Sequence, residues 1–127
     1  MNTKCKIALG VVAGAVLGAA AMQGLHAQMK PKAYFITESE LIDAAALATY
    51  VPQIRALQKA GGGRSLASGT KIVAFAGEPP KRFSVSEWES LEKAQAWGNS
   101  DARKALMPQR DKAIKIIRQF AIEAPAN

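Results

Sequence analysis

The apolar residues of this chain follow two patterns in turn, one typical of strands and one typical of helices. Residues 33–41 begin with aromatic and β-branched side chains and predict a strand. Asp43 is a suitable N-cap for a helix over residues 44–60, where apolar side chains recur at steps of three and four residues. Pro52 predicts a kink or a break in this helix, and the glycines at 61–63 predict its end.

The middle of the chain has the pattern of a hairpin followed by another strand. Two strand-like segments, at residues 64–68 and 71–76, flank a Gly-Thr turn, so we predict that they pair with each other. A loop rich in glycine and proline follows. Apolar and polar side chains then alternate along residues 81–88 and predict a strand. One face of this strand carries Phe83 and Val85, and the other carries Arg82, Ser84, Ser86 and Trp88.

Short helices and a closing strand occupy the last part of the chain. Ser90 is suited to cap a helix over residues 91–97, and Ser100 is suited to cap a second helix, which Pro108 strains. Residues 116–123 are rich in apolar side chains and predict the final strand. In the second helix we expect three residues to face inward: Ala102, Ala105 and Leu106.

The order of these elements defines a fold class. Two strand–helix–strand halves in one chain predict an α+β fold, a ferredoxin-like split βαβ sandwich with an extra hairpin strand. Both helices would cover one face of an antiparallel sheet. The other face carries apolar and polar residues together, and such a face commonly packs against a second copy. We therefore expect a symmetric homodimer.

The start of the chain has the pattern of a secretory signal peptide rather than of a folded element. Two lysines precede an apolar run over residues 7–22, and a small-residue cleavage site ends at Ala27. The run is about 16 residues long, shorter than the roughly 20 that a membrane-spanning helix needs. We therefore predict a signal peptide at 1–27, export to the periplasm or beyond, and one domain at 28–127 without stable membrane insertion. An uncleaved N-terminal anchor is the alternative.

The composition limits the chemistry of the domain. Cys5 and His26 are the single cysteine and the single histidine of the chain, and both lie before the predicted cleavage site. The mature domain therefore has no disulfide, cysteine nucleophile or Ser-His-Asp triad, and no metal site built on His or Cys. We predict no metal site and no cofactor.

The positive charge of the chain is moderate and scattered. There are 17 Lys and Arg residues against 10 Asp and Glu residues, a net charge of +7. The basic residues, Arg103 among them, are not interleaved with aromatic residues as in a stacking platform for bases. We therefore predict a solvated basic surface and no nucleic-acid partner.

Three segments together resemble a known family. They are Gly62-Gly63-Arg64, then Gly77 to Phe83 (GEPPKRF), then Trp88 to Trp97 (WESLEKAQAW), and the likeness extends from Ala33 to Glu123. In order and spacing they resemble the domain of unknown function 1330 family. This resemblance implies a dimeric α/β barrel of the ferredoxin-like class, whose relatives in fold include cofactor-independent oxygenases and lactone isomerases. Members often begin at the first strand, so the predicted leader is a departure.

Charged and aromatic residues suggest a binding site. Arg64 and Arg82 each begin a predicted strand, and two guanidinium groups in one crevice would hold a carboxylate or phosphate. Alternatively, both are solvated or form salt bridges with Glu38 or Glu78. Glu38 is a weak candidate for a general base, or it neutralises one of these arginines. Trp97 is either core packing or the wall of a pocket.

Arg110 completes the candidate set, because it precedes the last strand and can reach the same crevice or pair with Asp111 or Asp101. The leading hypothesis is an exported, cofactor-free dimer that binds a small acidic or aromatic molecule. The alternatives are a cofactor-independent enzyme, oxygenase-like or isomerase-like, and a purely structural or partner-binding dimer.

Overall fold

The computed structural model describes residues 30–125 and contains a four-stranded antiparallel sheet in the order β2-β3-β1-β4. This order is the one that a split βαβ unit produces. The predicted signal peptide and its cleavage site lie outside the described residues. The elements are β1 (Ala33–Leu41), α1 (Ala44–Ala60), β2 (Arg64–Gly69), β3 (Arg82–Trp88), α2 (Leu91–Gly98), α3 (Asp101–Ala105), α4 (Met107–Ala113) and β4 (Ile114–Glu123).

The first strand and the first helix have the predicted bounds. The carboxylate of Asp43 caps α1, since its Oδ1 accepts hydrogen bonds from the backbone amides of Ala45 and Ala46 at 2.8 and 3.1 Å. The helix runs through Pro52 without a break. Pro52 and Ala48, whose carbonyl loses its helical donor, both lie on the exposed side of α1, where the carbonyl is accessible to water.

The predicted hairpin of residues 64–68 with residues 71–76 is wrong. Residues 71–76 form no strand, and β2 pairs with β3 instead, from Arg64 opposite Glu87 to Gly69 opposite Phe83. β2 lies at the edge of the sheet, and residues 71–76 leave its outer edge unpaired. Strand propensity alone therefore does not create a ladder. Within this segment Phe75 is 99% exposed.

The last helices also differ in detail from the prediction. Ala102 and Ala105 are exposed, whereas Arg103 faces the interior together with the half-buried Leu106. Pro108 does not strain α3; it lies in the first turn of a separate helix, α4, where the missing amide hydrogen costs no helical hydrogen bond. Because α4 ends at Ala113, β4 begins two residues earlier than predicted.

Strand register separates two faces of the sheet. Odd-numbered residues of β1, such as Phe35 and Thr37, lie on the face that packs against the helices. Even-numbered residues of β1 lie on the opposite face, which no described element covers and which we call the open face. Its apolar residues are neighbours across three strands and form the open-face patch: Tyr34, Ile36, Phe83, Val85, Phe120 and Ile122.

Two tryptophans form the centre of the core under the helices. Trp88 is 1% exposed, and its ring centroid lies 4.9 Å from that of Trp97 on α2. The loop after α1 must pass close to this pair, because a Cβ atom at Gly63 would lie 2.4 Å from Trp88. Gly63 therefore serves packing, while Gly62, with φ of +95°, makes the left-handed turn that ends the helix.

Candidate functional site

A crevice of about 100 Å³ lies between α1 and the helix-facing side of the sheet. It exists because small hydroxyl side chains occupy the sheet positions beneath α1, where larger side chains would fill the space. The floor consists of Thr37, Ser39, Ser65, Ser68, Ser84, Ser86 and Gln119. The apolar wall consists of Leu47, Tyr50, Val51 and Ile54 of α1 together with Trp97.

Three of the residues predicted for a site line this crevice: Arg82, Trp97 and Arg110. Arg82 enters at the start of β3 and makes no ion pair within residues 30–125. Arg110 enters from α4, and its Nε donates to Oδ1 of Asp111 at 2.9 Å. Trp97 both packs in the core and forms part of the crevice wall, so the two interpretations of this residue are compatible.

Arg64 and Glu38 lie elsewhere, on the open face. Nη2 of Arg64 is 3.2 Å from Oε1 of Glu87, and Nε of Arg118 is 2.6 Å from Oε2 of Glu38. Arg64 stands opposite Glu87 in the ladder, whereas Arg82 has the opposite parity on β3. The expectation that the guanidinium groups of Arg64 and Arg82 meet in one crevice is therefore not met. Glu38 does not line the crevice either, so nothing in the geometry makes it the base of a reaction there.

Ion pairs border the open-face patch. Glu87 accepts from Nζ of Lys32 at 3.0 Å as well as from Arg64. The hydrogen bond from Lys32, with the positive charges of Lys32 and Arg64, holds the pKa of Glu87 below its ordinary value. The carboxylates of Glu38 and Glu87 on this face are therefore paired with cations. The surface that is left for contacts is that of the apolar residues.

Arg103 is the residue whose position the sequence analysis missed most clearly. Counted there with the solvated charges, it is 5% exposed, and its guanidinium lies 5.4 Å from the ring centroid of Phe35 and 5.1 Å from that of Trp97. Nη1 donates to the carbonyl of Gly98 at 2.9 Å, and Nη2 donates to Oε1 of Gln119. The one signal available was its spacing in the sequence, since Arg103, Leu106 and Arg110 recur at steps of three and four residues, as on one face of a helix.

Burial changes the protonation behaviour of the groups around Arg103. It lowers the pKa of Arg103, but an arginine starts so high that the guanidinium stays charged at neutral pH. Burial raises the pKa of Tyr50, a shift that the positive charges of Arg103 and Arg110 oppose. At neutral pH Tyr50 is therefore a neutral phenol, which can donate a hydrogen bond into the crevice but is not a base.

Among residues 30–125 no three His, Cys, Asp or Glu side chains cluster as metal ligands would. The helices found in that part of the chain are all too short or too polar to cross a membrane.

The sheet order and the helices on one of its faces define an α+β protein of the ferredoxin-like class, as the order of elements predicts. Residues 32–124 match the family model described as Domain of unknown function (DUF1330). The chain therefore belongs to this family, and the resemblance noted in the sequence is confirmed. Comparison with curated proteins gives no match.

Solved structures support the same fold. A protein of unknown function from Rhodopseudomonas palustris is similar with a TM-score of 0.61 and 13% identity, over 85% of this chain and 94% of that chain. SnoaB, a cofactor-independent oxygenase from Streptomyces nogalater, is similar with a TM-score of 0.55 and 7% identity, over 76% of this chain and 96% of that chain. At such identities the likeness concerns the fold alone.

Proposed function

We propose that this protein binds a small carboxylic acid with an aromatic or aliphatic body in the crevice between α1 and the sheet, without a cofactor. The observation that carries the proposal is Arg82, a half-buried cation that lines the crevice and has no carboxylate partner within residues 30–125. A guanidinium binds a carboxylate through paired hydrogen bonds, and Arg110 adds positive charge on the same lining.

The rest of the lining suits the body of such a molecule. Side chains from α1 and the ring of Trp97 provide an apolar wall opposite the polar floor. An apolar cavity of about 150 Å³ holds a benzene ring. The crevice, at about 100 Å³, is smaller than this, so it favours a short aliphatic chain or a single ring that is only partly enclosed.

A thermal-shift panel tests this proposal. Acetate, benzoate and phenylacetate are compared with the uncharged benzamide and benzyl alcohol. A ligand present at 100 times its Kd stabilises the folded state by about 2.7 kcal/mol, which raises the Tm of a domain this small by about 10 °C or more. We expect benzoate or phenylacetate to give the largest shift, and Arg82→Ala to weaken the binding by about tenfold to a hundredfold.

Arg64→Ala is the matched control, because Arg64 also begins a strand but pairs with Glu87 on the open face. This variant should keep the wild-type response to every acid in the panel. A panel in which no acid raises the Tm contradicts the proposal, as does an Arg82→Ala variant that responds like the wild type.

A cofactor-independent enzyme is the second candidate. The phenol of Tyr50 and the indole of Trp97 line the crevice together, and the fold is similar to that of SnoaB. If the protein is such an enzyme, an acid of the panel that binds in the crevice would be converted to a product in the presence of air. Product analysis by mass spectrometry, on the wild type and on Tyr50→Phe, separates the candidates: binding without turnover supports the binding protein.

We also propose that two copies pack through the open-face patch. Phe120 is 44% exposed and Ile122 is 53% exposed, and both adjoin further apolar residues of β1 and β3. Contiguous apolar surface of this kind marks an interaction site in soluble proteins. A sheet that meets its own copy across a two-fold axis buries the whole patch at once.

Export is the remaining part of the proposal and rests on the pattern of residues 1–27. When the full chain is produced in a bacterium, we expect the periplasmic fraction to contain a protein that begins at Gln28. Intact mass measurement decides this. A membrane-bound chain that keeps residues 1–27 would support the anchor, and Ala27→Asp should block cleavage if the predicted site is used.

A further inference from the structure

Arg103 lies outside the crevice but contacts a side chain that lines it. A guanidinium carries only donors, so it fixes the orientation of any amide that it contacts. Nη2 of Arg103 meets Gln119, and the amide oxygen of Gln119 must therefore point toward Arg103. The amide nitrogen is turned to the other side, where Nε2 donates to Oγ1 of Thr37 at 2.9 Å.

This arrangement also sets the direction of the Thr37 hydroxyl. Because Oγ1 of Thr37 accepts from Gln119, its hydrogen must be donated elsewhere. No side chain or carbonyl within residues 30–125 accepts it, and Thr37 lines the floor of the crevice. The hydroxyl of Thr37 thus offers a hydrogen to whatever occupies the crevice.

The other polar groups of known direction along the crevice are donors as well. Arg82 and Arg110 have no acceptor atoms. The single polar atom of the Trp97 side chain, Nε1, is also a donor, and it is buried without a partner among the described residues. The hydroxyl of Ser86 accepts from Nε1 of Trp88 at 2.9 Å, so its hydrogen must also be donated elsewhere. The other serine hydroxyls of the floor can rotate to donate or accept, so they oppose neither kind of ligand.

We propose that Arg103 is a positioning residue that acts through Gln119 and Thr37 and makes the crevice select ligands whose polar group only accepts hydrogen bonds. This inference rests on the proposed function and deepens it: the crevice should prefer a carboxylate to the amide of the same shape. Arg103 has no acidic partner among the described residues. It orients the amide of Gln119, the amide orients the hydroxyl of Thr37, and this hydroxyl then donates to the ligand.

Gln119→Glu is the variant that reverses this direction. The new carboxylate has nearly the shape of the amide and keeps the hydrogen bond from Arg103, but it can only accept. Thr37 must then donate to it and turn lone pairs toward the crevice. We expect the preference for benzoate over benzamide to fall by about tenfold to a hundredfold, the effect of one mismatched buried polar group. The variant should fold, because Arg103 gains a partner of opposite charge.

The added negative charge alone would also weaken benzoate binding, and Thr37→Val separates the two effects. This variant removes the hydroxyl, so its preference for benzoate should fall without any change of charge. In a double-mutant cycle, Gln119→Glu should lower the preference less in the Thr37→Val background than in the wild type. Thr37→Ser keeps a hydroxyl and should behave like the wild type.

The outcomes separate the failure of ligand binding from the failure of the positioning role of Arg103. If no acid of the panel binds the wild type, the proposed function is wrong. The inferred preference of the crevice for ligands that only accept hydrogen bonds is then wrong as well. If the wild type binds benzoate but Thr37→Val keeps the full preference for benzoate over benzamide, the positioning role of Arg103, Gln119 and Thr37 is overturned. The proposed binding of a carboxylic acid is then still supported. Additive effects of Thr37→Val and Gln119→Glu would likewise overturn the positioning role, because they would show that the new charge acts directly.

Discussion

Trp88→Ala is expected to lower the free energy of unfolding by about 3–5 kcal/mol, the usual effect of removing a buried tryptophan. Trp88 is the largest side chain with less than 2% exposure among the described residues. It packs against Trp97, and its Nε1 donates to Ser86 at 2.9 Å, so the substitution removes packing and a hydrogen bond together. Small domains are only about 5–15 kcal/mol stable, and a large part of the stability would be lost.

Urea denaturation followed by circular dichroism measures this effect. Phe75→Ala is the matched control, since it removes a large aromatic side chain that is 99% exposed in the β2–β3 connection. It should leave the free energy of unfolding within about 0.5 kcal/mol of the wild type. Equal effects of the two substitutions would contradict the assignment of Trp88 to the centre of the core.

Ile122→Asp is expected to convert a dimer into monomers. Ile122 belongs to the open-face patch, and a two-fold interface would bury the new carboxylate twice. Each buried, unsatisfied group costs about 2 kcal/mol or more, so the dissociation constant of the dimer should rise by a factor of about a thousand. Multi-angle light scattering over a dilution series measures the mass, and the substituted chain should remain folded by circular dichroism.

The control is Ile42→Asp, which makes the same change at a residue of similar exposure, 59% against 53%, between β1 and α1. This variant should keep the mass of the wild type. A wild type that is monomeric at every concentration would contradict the packing of two copies through the open face, while the crevice, which lies on the other side of the sheet, would be unaffected.

Local patterns were sufficient to predict several elements of this fold. The bounds of β1 and α1 follow from apolar periodicity and from the capping carboxylate of Asp43, which are properties of neighbouring residues. Ser90 and Ser100 cap α2 and α3 for the same reason. The alternation of residues in β3 also predicted that Arg82 and Trp88 share a face, and the structure shows that this face packs against the helices.

Pairing between distant segments explains where these patterns fail. Residues 71–76 have the composition of a strand, but β2 pairs with β3, which is more distant along the chain, and its outer edge stays unpaired among the described residues. The same pairing places Arg64 opposite Glu87 and so moves it away from Arg82. No local pattern contains this information, because register is a relation between segments about 20 residues apart along the chain.

The amino-acid sequence was thus enough to establish the family, the fold class, the absence of His and Cys chemistry from residues 28–127, and three of the residues that line the crevice. Tertiary structure alone decided which face each charge occupies and that Arg103 is buried between two aromatic rings. The physical reason is that a charge enters the interior only where carbonyls, amides and rings from several elements converge to replace water.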